Sequence, residues 1–108
     1  MRTIYRQGDV FIQRLSRRPT KLTALPREGD DVILAHGEVT GHAHRIADPN
    51  VCLLSREGTS DRFLTIGEGG ALLTHEEHAP ISLNAGSYVV RIQREYDWAG
   101  EASRNVAD

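Results

Sequence analysis

Four of the five histidines in this 108-residue chain are spaced as a ligand set would be: His42 and His44 flank Ala43, and His75 and His78 bracket Glu76 and Glu77. In an extended chain, residues two apart point to one face. His42 and His44 therefore stand side by side, with Ile46 on their face and Ala43 and Arg45 on the other. A spacing of three does not fit one strand face. It fits a helical turn, or a loop at a strand end. Pro80 disfavours helix at Ala79, which selects a strand ending near Thr74 and then a tight turn. Such a turn directs His75 and His78 inward together, while Glu76 and Glu77 supply an oxygen ligand or face solvent. Imidazole with carboxylate is the set that zinc, iron, manganese and nickel use where thiols are lacking. Cys52 is the single cysteine, so neither a disulfide framework nor a Cys-rich zinc site is open to this chain. The expected cofactor is thus a divalent transition metal, one of zinc, iron, manganese or nickel, on His42, His44, His75 and His78. Glu76, Glu77 or Asp48 would be the further ligand or acid/base group. His36 precedes the Gly37 turn and has no partner at strand spacing, so it is the weakest of the histidines.

Two other uses of the same residues stay open. Without a metal, paired histidines of near-neutral pKa can act as acid and base while an arginine binds phosphate, the arrangement needed to cleave a phosphodiester. The strand candidate Ser87–Tyr96 carries Val89, Arg91, Gln93 and Glu95 on one face. That face either brings Arg91 and Gln93 to the histidines as anion or substrate contacts, or is solvated and pairs its own charges. The third use is non-enzymatic: a homo-oligomeric assembly subunit or a ligand-sensing module, with strand edges buried against other copies. No Ser or Cys nucleophile sits in a local base motif and no Gly-rich phosphate loop is present, which argues against acyl transfer and nucleotide hydrolysis. Whether the chain is an enzyme is left open.

The elements that must position these residues are short strands. Apolar residues recur with period two, or in brief β-branched runs between turn residues, and no sustained helical period occurs. About eight strands are expected: Thr3–Arg6, Asp9–Leu15, Asp31–Ala35, His42–Ile46, Val51–Ser55, Arg62–Ile66, Ala71–Thr74 and Ser87–Tyr96, with an extended piece at Ile81–Leu83. This is an all-β chain, a small antiparallel β-sandwich or barrel. Turns at Asp48-Pro49-Asn50, Glu57 to Asp61 and Gly67 to Gly70 suggest a meander. The length suits one domain, placed at residues 1–98, with a polar tail at 99–108. The connection at 16–30 holds Arg17, Arg18, Lys21 and Arg27. It is either a basic arm over a ligand or a solvated loop. Tyr96 and Trp98 would pack into the core, cover one end of the domain or enter a subunit contact.

Thirteen basic and 15 acidic residues leave a net charge of −2, so there is no strong nucleic-acid signal from the chain as a whole, and such a role would need a local patch. No apolar stretch approaches the roughly 18–20 residues that span a bilayer, and Met1 to Val10 lacks the apolar centre of a secretion signal. The expectation is a cytoplasmic protein with no membrane partner. A small-molecule ligand and a second copy of the chain are the partners anticipated.

The phrases His36-Gly-Glu-Val-Thr-Gly-His-Ala-His44, Thr74-His-Glu-Glu-His-Ala-Pro80, Gln93-Arg-Glu-Tyr96 and Val106-Ala-Asp108 resemble a family of small bacterial and phage proteins of unassigned function. A looser likeness is to cupins, whose first motif places two histidines two apart on a strand and whose second motif supplies a third. His42, His44 and either His75 or His78 would match those three, which implies a small barrel or sandwich with a histidine-lined mouth. Three positions depart from the cupin pattern. Gly37 lies one residue nearer the histidine pair, the position expected to hold Glu falls nearest Asp48, and Asn84-Ala85-Gly86 follows the second motif's histidine instead of preceding it.

Overall fold

The alternation of apolar residues becomes two facing layers of antiparallel strands in the computed structural model, which describes residues 3–37 and 41–93. Ten strands are present and no helix among the described residues: β1 (Ile4–Gln7), β2 (Val10–Leu15), β3 (Leu22–Ala24), β4 (Val32–His36), β5 (Ala43–Ile46), β6 (Val51–Arg56), β7 (Arg62–Ile66), β8 (Ala71–Leu73), β9 (Ile81–Leu83) and β10 (Gly86–Ile92). One layer is a six-stranded sheet in the order β1-β2-β10-β7-β6-β3. The other is made of the pairs β4-β5 and β8-β9. These are joined where Arg45 and Thr74 exchange backbone hydrogen bonds of 3.0 and 2.9 Å. The sheet is open at β1 and β3, so the architecture is a sandwich.

The core lies between the layers. Val10, Ile12, Val51, Leu53, Leu64, Ile66, Tyr88 and Val90 of the large sheet meet Val32, Leu34, Ile46, Leu73 and Leu83 of the small one. Burying each large aliphatic side chain is worth about 1.5–3 kcal/mol. Tyr88 is fully buried and solves its polar problem by donating its hydroxyl hydrogen to the Asn84 carbonyl at 2.6 Å. A bulge at Leu34 lets both Leu34 and Ala35 turn inward, since Ile33 pairs with Arg45 but Ala35 already pairs with His44.

Some expected boundaries shift. Among the three marked turns only Glu57 to Asp61 closes a hairpin, β6-β7; the other two carry the chain from one layer to the other, so the strands do not form one meander. The polar connection 16–30 contains β3, which pairs with Leu54 to Arg56. Three residues are too few to show a period, and it is pairing with β6 that makes them a strand. The last strand runs Gly86–Ile92. Tyr96, Trp98, the domain limit at 98 and the tail at 99–108 lie outside the described residues. No helix among the described residues is long and apolar enough to cross a membrane.

Candidate metal centre

Three chain segments meet at one end of the sandwich. The first is β5, where His44 and Ile46 share the inward face and are 3% and 0% exposed. His42 precedes the strand, and its ring lies 5.8 Å from that of His75, edge to face. The second segment is the bend from Thr74 to Pro80 that joins β8 to β9. It puts His75 at the centre of the group, with ring centroids 4.3 Å from His44 and 4.7 Å from His78. The His44 and His78 rings stack at 6.0 Å.

The third segment is the turn Gly8-Asp9 between β1 and β2, where Gln7 pairs with Val10. Gly8 has φ of +61° whereas Asp9 does not have positive φ, the pattern of a two-residue turn with Gly first. Glycine is needed for a second reason. A Cβ at this position would lie 2.9 Å from His78 Nε2 and 3.2 Å from His44 Cε1, so the hairpin tip closes directly onto the two rings.

Gln7 fixes the state of His44. Its amide nitrogen donates to the carbonyls of Leu73 (3.2 Å) and Ala79 (3.0 Å), which leaves its oxygen facing His44 Nδ1 at 2.8 Å. An oxygen there can only accept, so Nδ1 carries the hydrogen and Nε2 holds the lone pair. Asp9 Oδ1 stands 3.6 Å from that Nε2. Burial, and then the nearby His75, lower the His44 pKa below the ordinary histidine value, with Asp9 opposing. A neutral ring with a free Nε2 is the form that binds a metal or accepts a proton.

The remaining contacts are also specific. Glu77 N–H donates to His75 Nδ1 at 3.0 Å, so a neutral His75 carries its proton on Nε2. Among the described residues His42 Nδ1 is buried with no hydrogen-bond partner, and the carboxylate within 4 Å of it is that of Glu77, whose Oε2 lies at 3.7 Å. Such an orphaned nitrogen is costly unless something fills the gap. Glu76 accepts from Ala43 N–H at 2.9 Å and from Arg45 at 3.2 Å, and the amide hydrogen bond is the first cause of its lowered pKa. The bend is thereby tied to β5. One ligand atom each from His42, His75 and Glu76 lies within 4.8 Å of the others, slightly more than two zinc–ligand bonds of about 2.0–2.2 Å end to end.

Among the sequence candidates, then, His42, His44, His75, His78, Glu76 and Glu77 come together. Asp48 does not: its carboxylate accepts the Asn50 N–H at 2.8 Å and shapes the turn before β6. Arg91 points to the sheet face opposite the core and lines a groove there. Gln93 is exposed and meets the Gly8-Asp9 turn through its backbone, whose N–H donates to the Asp9 carbonyl at 2.8 Å. His36 pairs with Glu28 at 2.9 Å on the surface. Gln7, Gly8 and Asp9 are the residues that sequence reasoning did not supply. Gly-Asp between alternating apolar runs is a readable two-residue turn signal, but nothing local shows that it closes on histidines so distant along the chain.

No curated protein and no solved structure matches the chain. A family model described as a domain of unknown function, DUF8820, matches residues 6–93. That span holds every residue of the centre, and the chain belongs to this family.

Proposed function

We propose that this protein binds a divalent transition metal through His42, His44, His75 and His78, with Glu76, Glu77 and Asp9 as the nearby oxygen groups. The observation that carries this reading is the Gln7–His44 contact. A buried amide dedicated to holding one imidazole in a single tautomer, on a ring that packs 4.3 Å from that of His75 and 6.0 Å from that of His78, is how metal-ligating histidines are supported from behind. The orphaned His42 Nδ1 in the same group adds to it. His75 Nε2 can join only if its proton moves to Nδ1, which exchanges the Glu77 amide contact for a metal bond. A donor set of nitrogen and oxygen suits zinc, iron, manganese or nickel. If one coordination position stays open, a bound metal would polarise a small-molecule ligand or a water there.

Metal content of tag-free protein, followed by chelation and thermal melting, tests the proposal. Near one metal per chain and a lower midpoint in chelator are expected, because a bound metal is linked to folding. Metal well below stoichiometric, with a midpoint indifferent both to chelator and to added zinc, manganese, iron(II) or nickel, would contradict it.

A metal-free reading is favoured by a separate observation. His44 offers a lone pair on Nε2 while the neighbouring His75 offers a hydrogen on its own Nε2, so the two rings form a base and acid at a 4.3 Å centroid distance. An activity that His44→Ala abolishes and chelator leaves intact would establish that reading over the first.

A further inference from the structure

The face of the six-stranded sheet turned away from the core carries a trough with a charge opposite to that of the chain. It holds about 580 Å³ and is lined by the segment Arg17 to Thr20, by Gln13, Phe63 and Val89, and by Arg56 and Arg91. A second hollow of about 340 Å³ shares Asp61, Val89 and Arg91 with it and reaches Arg62, whose guanidinium is already engaged, donating to the Leu34 carbonyl of the other layer at 2.7 Å. The larger part is lined by the guanidinium groups of Arg17, Arg18, Arg56 and Arg91 against the single carboxylate of Asp61, in a protein whose net charge is −2. Asp61 lies 3.9 Å from Arg56. Arg17, Arg18 and Arg91 make no ion pair or side-chain hydrogen bond with any described residue, and all three are exposed.

We infer that this trough holds the phosphodiester backbone of a single-stranded nucleic acid, without reading its bases. Guanidinium forks match phosphate oxygens two at a time. Arg56 and Arg91 stand on β6 and β10, either side of β7, and Arg17 and Arg18 line the same trough from the segment after β2; guanidinium groups from three separate elements suit a run of phosphates better than one phosphate gripped from all sides. A positive groove that tracks the backbone is the electrostatic half of the general device for holding single strands, the other half being aromatic platforms for the bases. Base stacking has no platform in it, since Phe63 is 6% exposed and lies beneath the Arg56 guanidinium at 4.9 Å. Binding is therefore electrostatic and tolerant of sequence. The whole-chain charge hides this patch because its arginines come from β6, β10 and the segment after β2, while Glu76, Glu77 and Asp9 lie at the histidines.

Fluorescence anisotropy with a labelled oligothymidylate, across a salt series, tests the inference on the full chain. Arg17→Gln, Arg18→Gln and Arg91→Gln are compared singly and together, with the thermal midpoint as the control for folding. Each phosphate contact on a single strand contributes about 0.7 to the slope of log affinity against log salt. Each substitution should lower the slope by that amount and weaken binding roughly fivefold at about 0.1 M salt, the same term over one decade of salt. No binding at low salt, a slope indifferent to the triple variant, a mononucleotide bound as tightly as the strand, or a duplex preferred to it would each overturn the inference.

Discussion

The Gln7 side-chain oxygen and His44 Nδ1 lie 2.8 Å apart in the interior, and the orientation of that amide is set by two backbone carbonyls from the opposite layer. The contact joins the β1-β2 hairpin, the strand β5 and both ends of the β8-β9 connection through one side chain. Stability and ligand chemistry are coupled there, and each can be measured separately.

Gln7→Leu keeps the volume and removes the amide. It leaves the Leu73 and Ala79 carbonyls without this donor and frees His44 to change tautomer. A loss of about 1–3 kcal/mol in unfolding free energy is expected from the unpaired buried groups, and metal affinity should fall about 10–100-fold, as when a supporting partner is removed. Urea unfolding and competitive metal titration read the two effects. Affinity equal to that of the unaltered protein would remove Gln7 from the proposed metal centre.

Gly8→Ala and Gly29→Ala form a matched pair. Both positions have positive φ, +61° and +64°, but a methyl at Gly29 meets nothing within 4 Å whereas one at Gly8 meets His78 and His44. Both should be destabilised by the backbone term, of order 1 kcal/mol. Only Gly8→Ala should also alter the response of the melting midpoint to added metal. Equal behaviour of the two variants would show that the hairpin tip does not press on the rings.

The metal-free protein should lose stability as pH falls from neutrality. The folded pKa of His44 is lowered by burial and by His75, so below about 6.5 the unfolded chain takes up a proton there that the folded chain refuses. The contribution is complete above that value and disappears as pH drops toward the folded pKa. Glu76 acts in the same direction at lower pH: its carboxylate is favoured in the fold by the Ala43 amide, and that contribution is lost as pH falls through its lowered pKa. Chelator-treated protein followed by chemical unfolding between neutral and acid pH should show the first loss, and His44→Gln should flatten it. A flat profile in the unaltered protein would count against a buried neutral His44.

Much of this was legible in the chain. Period-two spacing placed His44 with Ile46 on an inward face, and Pro80 set the end of a strand near Thr74, because both effects are local. The pairing of β5 with β8 through Arg45 and Thr74 has no local signature, and it is this contact that brings the two histidine segments together. Arg91 could not be assigned a side from sequence. Val89 and Val90 are both apolar and both buried, so alternation alone did not say which face of β10 met the core. Gln7 was invisible because a buried polar side chain is recognisable only once its partners, far along the chain, are in place.

Nitrogen-detected NMR of the histidine side chains during a zinc titration tests the proposed metal centre most directly. In the metal-free protein His44 should appear as the Nδ1–H tautomer. One equivalent of zinc should then shift the ring nitrogens of His42, His44, His75 and His78 together, while His36, paired with Glu28 on the surface, stays in place. Ring signals of these four that do not move at one equivalent, or that move no more than those of His36, would contradict a metal centre at this site.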